Sequence, residues 1–141
     1  MLLYAAETWP ITGQRENKLA SCDYRMLRYM AHVRWEDRVS NDELARKCGV
    51  EDVRNVLRRQ RLRWYCHIQR REEEHILKKA CQVVVEGRKS VGRPKKTWRR
   101  CVEEDMKKMK ITEECIQNRR EWRRLIARPT PEGNRRTLNE E

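Results

Sequence analysis

Arginine and lysine are the residues of this sequence whose number and spacing could do chemistry, and that chemistry is anion binding. The 141 residues include 34 Lys and Arg against 22 Asp and Glu, a formal net charge of +12. Seven arginines lie between Arg54 and Arg71 without an intervening acid, and seven basic residues follow Glu86 as far as Arg100. The two segments net +7 and +6, so the rest of the chain nets −1. Charge held in two short segments favours a polyanionic partner, and nucleic acid is the predicted one.

The candidate nucleic-acid-binding residues belong to these two segments and are expected to contact mainly phosphate. They are Arg54, Arg58, Arg59, Arg61 and Arg63 in the first segment, and Arg88, Lys89, Arg93, Lys95, Lys96, Arg99 and Arg100 in the second. Like charges four residues apart on a helix repel each other, and a bound polyanion would relieve that repulsion. A solvated basic face is the alternative interpretation, and the same clusters could serve nuclear import.

The second basic segment contains a sequence similar to the core of a minor-groove AT-hook. Residues 92–96 read GRPKK, in which proline fixes an extended backbone between basic side chains. Val91 stands where a full core has arginine, and the motif occurs once. Phosphate contact is therefore preferred over sequence-selective reading of A·T base pairs.

No catalytic residue, metal ligand or cofactor is predicted. The acids lie mostly in runs such as residues 72–74 and 103–105, and no Ser/His/Asp arrangement, phosphate-binding glycine loop or HExxH motif is present. The six cysteines form no CxxC pair and are expected to be reduced core residues. A zinc site is the weaker alternative, without closely paired ligands, and it would use Cys66, His67, His75 and Cys81.

The elements that must position the basic residues are predicted to be helices. Apolar residues recur at helical spacing in residues 14–33, with Leu19, Cys22, Met26, Leu27, Met30 and Val33 on the apolar face. Further helices are expected from Ser40 to Cys48, from Glu51 to Arg71, from Thr97 to Met109 and from Thr112 to Ala127, with a possible helical turn at residues 75–81. Residues 83–85 suit a short strand or an extended arm, and Gly87, Gly92 and Pro94 predict an extended arm over residues 86–100.

The predicted fold class is mainly α: a small helical bundle with an extended basic arm between helices and a disordered C-terminal tail. No run of about 18 apolar residues suits a membrane span, and residues 1–6 do not read as a signal peptide. The expectation is a soluble intracellular protein without a membrane partner.

Five segments, taken in order, resemble the region that follows the palm in reverse transcriptases of LINE-type, non-LTR retrotransposons. They are LLYAAETW at residues 2–9, RMLRYMAHVRWEDRVSNDEL at 25–44, RRQRLRWYCHIQRR at 58–71, GRKSVGRPKKTWRRCVEEDMKKM at 87–109 and EWRRL at 121–125. Ala5 stands where the resemblance implies glycine, and Tyr65-Cys66 departs from the family pattern as well.

The resemblance implies a division of the chain and a function. Residues 1–12 would be the end of the palm, 13–81 a thumb-like helical lobe, 82–127 the basic arm with a C-terminal helical pair, and 128–141 a disordered tail. The lobe would grip template and primer, as RNA, RNA–DNA hybrid or DNA, within a nuclear RNA-directed DNA polymerase. The aspartates of polymerisation and the endonuclease would lie upstream, so this chain would be a non-enzymatic fragment that contacts the palm. The alternatives are a protein-interaction or structural remnant and a small DNA-binding protein.

Overall fold

The computed structural model describes residues 3–83, 87, 91–92 and 94–128, and helices dominate these ranges. The α-helices are α1 (Gly13–Met30), α2 (Asn41–Cys48), α3 (Val53–Gln69), α4 (Ile76–Gln82), α5 (Trp98–Met109) and α6 (Arg119–Ala127). Short 3-10 helices occupy Ala6–Thr8, Trp35–Asp37 and Glu113–Ile116. The described residues contain no strand, which confirms the predicted mainly α class. None of the described helices has the length and apolar character of a membrane span.

Side-chain caps fix where the helices begin. The Ser40 hydroxyl accepts a hydrogen bond from the Glu43 amide at 3.2 Å, and Asp52 accepts one from the Arg54 amide at 2.8 Å. Thr97 caps α5 in the same way. Each bond satisfies an amide that has no partner inside the helix. These three starts confirm the predicted ones.

Two predicted boundaries are wrong, for local reasons. Residues from Thr112 to Ala127 do not form one helix, because Asn118 leaves the helical conformation and caps α6 with its own side chain, 3.2 Å from the Glu121 amide. The arm does not extend to Arg100, because the Thr97 cap starts α5 at Trp98. In the arm, the described positions 87, 91–92 and 94–97 have no regular structure, whereas Val84, Val85 and the tail from 129 onward lie outside the described residues.

Helix α3 supplies side chains to each of the two hydrophobic clusters found among the described residues. The first cluster combines the beginning of α3 with α1, α2 and the segment before α1: Ala6, Ile11, Ala20, Tyr24, Leu27, Leu44, Val53 and Leu57. The second combines the end of α3 with α5 and α6: Leu62, Tyr65, Cys66, Val102, Met106, Ile111, Ile116, Trp122 and Ile126. Because one continuous helix enters both clusters, the predicted lobes 13–81 and 82–127 share a structural element.

The predicted apolar face of α1 is partly wrong. Cys22, Met26 and Met30 are exposed, whereas Tyr24 and Leu27 are buried. Tyrosine pairs an apolar ring with a polar hydroxyl, so a count of aliphatic residues alone passes over it. The buried face of α1 is consequently rotated relative to the predicted one.

A buried ion pair joins α3 to α5. Arg61 is 2% exposed, and its Nε lies 2.9 Å from Oδ2 of Asp105, which is also buried. Glu16 of α1 lies 3.8 Å from the same guanidinium. Burial raises the pKa of Asp105, although the charge of Arg61 acts in the opposite direction. The attraction of Arg61 therefore does not fully offset the cost of removing this carboxylate from water.

The segment before α1 is held by the chain's own helices. Ala6 and Ile11 are each 1% exposed, and the Trp98 indole donates a hydrogen bond to the Glu7 carbonyl at 2.7 Å. The sequence predicts that this segment belongs to an upstream structure. Its apolar side packs within the described chain, while Tyr4 and Trp9 remain exposed.

Replacing Ala5 with Gly should stabilise the protein. Ala5 has φ 53° and ψ 21°, the left-handed conformation in which a Cβ crowds the backbone, and glycine avoids this crowding. After the entropy that glycine loses on folding, we expect an increase of roughly 0.5 to 1 kcal/mol in the unfolding free energy. Urea denaturation should show a higher midpoint at unchanged slope. Thr12→Gly, at φ −86°, is the control and should not stabilise.

Candidate nucleic-acid interface

Two residues that were predicted to contact phosphate, Arg58 and Arg61, are buried, so the prediction is wrong for both. Arg61 is buried in the ion pair with Asp105, and Arg58 is 8% exposed with its Nη2 2.6 Å from Asn55 Oδ1. Neither guanidinium is available to a phosphate. The sequence shows no acid along this part of α3, but α1 and α5 supply Glu16 and Asp105 across the helix contacts.

The other predicted arginines of α3 differ in their pairing. Arg54 lies 3.2 Å from Asp52, and Arg59 lies 2.6 Å from Glu51, so both have carboxylates beside them at the start of the helix. Arg63 is exposed and pairs with no carboxylate of the described residues. Arg63 is therefore the predicted α3 residue best placed to bind a new anion.

The basic arm is partly neutralised where the structure describes it. Lys96 lies 2.7 Å from Glu104, and although burial lowers the pKa of Lys96, its hydrogen bond with Glu104 raises it overall. Arg99 and Arg100 lie on α5 and pair with Glu103 and Glu104 at 3.6 and 3.4 Å. Lys95 is exposed, and Arg88, Lys89 and Arg93 lie outside the described residues.

A cleft between the end of α3 and α6 is lined mainly by arginines. It has a volume of about 520 Å³ and is lined by Arg63, His67, Arg70, Arg71, Arg119, Trp122, Arg123 and Ile126. Five of these eight residues are arginines, and none is acidic. We call this surface the arginine cleft.

Helical spacing places these residues on facing sides of the two helices. Positions 63, 67 and 70 of the first wall are separated by four and three residues, and positions 119, 122, 123 and 126 of α6 have the same kind of spacing. The hydrophobic cluster of α3, α5 and α6 holds the walls together, since Trp122 and Ile126 belong both to it and to the cleft. The position of the arginines thus depends on core packing.

Arg70 is held in place by contacts with the core side of the cleft. Its Nε donates to the Ile116 carbonyl at 3.0 Å, and its Nη2 contacts the Cys66 sulfur. Burial raises the pKa of Cys66, although Arg70 acts in the opposite direction, so this thiol is neutral at physiological pH. It therefore leaves the charge of Arg70 uncompensated.

The cleft has the electrostatic character of an anion site. Within residues 3–83, 87, 91–92 and 94–128, no carboxylate forms an ion pair with any of its five arginines. Cations that converge on a concave surface concentrate the positive potential there and attract anions. Guanidinium groups also match phosphate oxygens with two parallel hydrogen bonds.

Most of the cleft was missed from the sequence. Arg119 and Arg123 are not among the predicted contacts, because those were taken only from the two segments that carry the excess charge of the chain. Arg70 and Arg71 belong to the predicted basic helix but not to the predicted phosphate contacts. A signal was present: Arg119 and Arg123 are four residues apart and flank Trp122, so they share a face bordering the apolar one.

The four residues of the alternative zinc site are not brought together. Cys66 is buried in the core, whereas His67 and Cys81 are exposed on different helices and His75 caps α4. Among the described residues, no group of three or more His, Cys, Asp or Glu side chains could hold a metal ion.

Comparison with known proteins gives no relative of this chain. No family model matches it, and neither curated proteins nor solved structures give a match. The resemblance to reverse transcriptases thus depends on the sequence segments alone.

Proposed function

We propose that this chain binds nucleic acid through phosphate contacts, as a thumb-like C-terminal part of a non-LTR retrotransposon reverse transcriptase without an active site of its own. The observation that supports the binding proposal most strongly is the arginine cleft, whose lining has five arginines at the end of α3 and on α6 and no acidic residue. The order of the five sequence segments supports the retroelement origin. A nuclear location belongs to the same proposal, because such a polymerase acts on chromosomal DNA.

Arginine content argues for phosphate over other anions. All five cations of the cleft are arginines, whose planar guanidinium presents paired donors to phosphate oxygens. The cations line a concave surface, whereas a membrane surface is best met by an amphipathic helix with basic residues on its polar face. A polynucleotide brings several phosphates to one cleft, so it can engage several arginines together.

Salt dependence provides the direct test of this proposal. Each phosphate neutralised contributes about 0.7 to 0.9 to the slope of log Kd against log salt concentration, so five contacts should give a slope of about 3.5 to 4.5. Fluorescence anisotropy with labelled RNA, DNA and RNA–DNA hybrid measures this slope for each ligand. Binding that is insensitive to salt contradicts the proposal. Strong discrimination of one duplex sequence over random competitor would instead favour a small DNA-binding protein.

Arg119→Ala with Arg123→Ala should weaken binding more than Arg120→Ala with Arg124→Ala. Both pairs remove two positive charges from exposed positions of α6, but only the first pair lines the cleft. We expect the first double variant to lower the salt slope by about 1.4 to 1.8 and the affinity by roughly tenfold. The second should change both much less. Equal losses in the two variants would show that only total charge matters.

A second candidate, a protein-interaction module, is favoured by exposed aromatic residues. Tyr4 and Trp9 are exposed although their neighbours Ala6 and Ile11 are buried, and these rings would cover apolar surface of an upstream palm. On this hypothesis, Tyr4→Ser with Trp9→Ser should improve solubility and leave nucleic-acid affinity unchanged. Static light scattering of the variant and the wild type tests it, since unchanged association would count against a docking role.

A further inference from the structure

A stacked pair of rings lies beside the arginines of the cleft. The Trp64 and His67 ring centroids are 5.3 Å apart, and the ring planes differ by 15°. Both residues belong to α3 and are three positions apart, so the helix sets their spacing. Trp64 is half-buried, whereas His67 is exposed and lines the cleft. The Trp64 ring therefore covers one face of the His67 imidazole.

The imidazole is also restrained at its edge. Arg71 Nη2 lies 3.2 Å from His67 Nε2. Ring stacking on one face and this contact at the edge reduce the freedom of the His67 side chain, and no second ring of the described residues stacks on it. An exposed ring already held in one plane loses little conformational entropy when a flat ligand stacks on it.

The cleft has the volume of a small-ligand site, and an unpaired base offers it a free face that a duplex lacks. A volume of about 520 Å³ lies within the roughly 300 to 1,000 Å³ typical of sites that enclose small ligands. The paired bases of a duplex are stacked on their neighbours and unavailable to a protein ring. Unpaired bases can turn outward and stack on aromatic side chains while their phosphates contact arginine.

We propose that the arginine cleft binds single-stranded polynucleotide and that one unpaired base stacks on His67. This inference rests on the proposed nucleic-acid binding and names the strand state that the cleft prefers. Arg63, Arg119 and Arg123 contact the phosphates, and the ring pair supplies a surface that duplexes cannot use. Because every base has a π face, the preference is for single strands and not for a sequence.

The test compares strand types with His67 variants of the full 141-residue chain. Anisotropy titrations with oligo(U), oligo(dT) and a hairpin duplex, all at the same salt concentration, give the three affinities. Wild type should bind both single strands at least about fivefold more tightly than the duplex, the lower range of one base–aromatic stack. His67→Ala should lose that factor for single strands and retain duplex affinity. His67→Phe keeps a flat ring and should retain the preference.

Different failures have different meanings in this experiment. If His67→Ala binds single strands as wild type does while binding stays salt-dependent, stacking is overturned and phosphate binding stands. If no ligand shows salt-dependent binding, the proposed function itself fails. Tyr29→Ala is the matched control, because Tyr29 is 85% exposed on α1 and does not line the cleft. An equal loss in that variant would overturn the assignment of stacking to the cleft.

Discussion

Replacing Asp105 with Ala should lower the free energy of unfolding by about 3 to 5 kcal/mol, because it leaves the Arg61 guanidinium buried without its partner. Arg61 is 2% exposed, and its Nε lies 2.9 Å from the Asp105 carboxylate. Glu16, 3.8 Å away and half-buried, is too distant to replace the lost ion pair. Equilibrium urea denaturation followed by circular dichroism measures the loss.

The control replaces both partners with apolar residues of similar size. Burial raises the pKa of Asp105 despite Arg61, so the charged pair retains an uncompensated desolvation cost. Arg61→Met with Asp105→Leu should therefore be far less destabilising than either Asp105→Ala or Arg61→Ala. If Asp105→Ala costs no more than exposed Glu103→Ala, the ion pair is not a structural element of the α3–α5 contact.

Trp122→Ala should cost about 3 to 5 kcal/mol of unfolding free energy and should also disturb the arginine cleft. Trp122 is 1% exposed in the cluster formed by α3, α5 and α6, and it lines the cleft as well. Removing the indole leaves a cavity between α6 and the rest of the cluster. Calorimetry should show a lower melting temperature, and nucleic-acid affinity should fall even where the variant remains folded.

Two other tryptophan variants show whether the loss of stability in Trp122→Ala comes from the missing buried ring. Trp35 is 85% exposed, so Trp35→Ala should change stability by less than about 0.5 kcal/mol. The Trp122 indole nitrogen is buried without a hydrogen-bond partner among the described residues, so Trp122→Phe removes no bond and should cost less than Trp122→Ala. Equal losses for Phe and Ala at position 122 would show that ring packing is not what stabilises α6.

Helix starts were predictable because their signals are local. Ser40, Asp52 and Thr97 each accept a hydrogen bond from an amide two or three residues ahead, and a short sequence window contains both groups. The boundary between the last two helical elements, Glu113–Ile116 and Arg119–Ala127, was harder to predict. Thr112 and Asn118 are both suitable caps, and the choice between one helix and two depends on how residues 113–116 pack on α3 and α6.

The roles of charged residues were less predictable, because they depend on which surfaces meet. Arg61 has the same sequence context as Arg63, yet one is buried beside Asp105 and the other lines the cleft. The sequence marks Asp105 only as an interruption of the apolar face of α5. Residues 119–127 contain four arginines and one acid, and the sequence does not show that two of these arginines line the cleft while the other two face a different surface.

The hydrogen bond from Trp98 to the Glu7 carbonyl spans 91 residues, which sets an order of events during folding. Closing a loop of that length costs about 4 kcal/mol of chain entropy, so it is unfavourable until other contacts have shortened the loop. The packing of α3 on α5 shortens this loop, because it brings Trp98 near the residues that Ile11 and Ala6 pack against. The segment around Glu7 packs on α1, α2 and the beginning of α3, so its burial needs the chain only as far as Leu57, and the bond from Trp98 is added when α5 packs on α3.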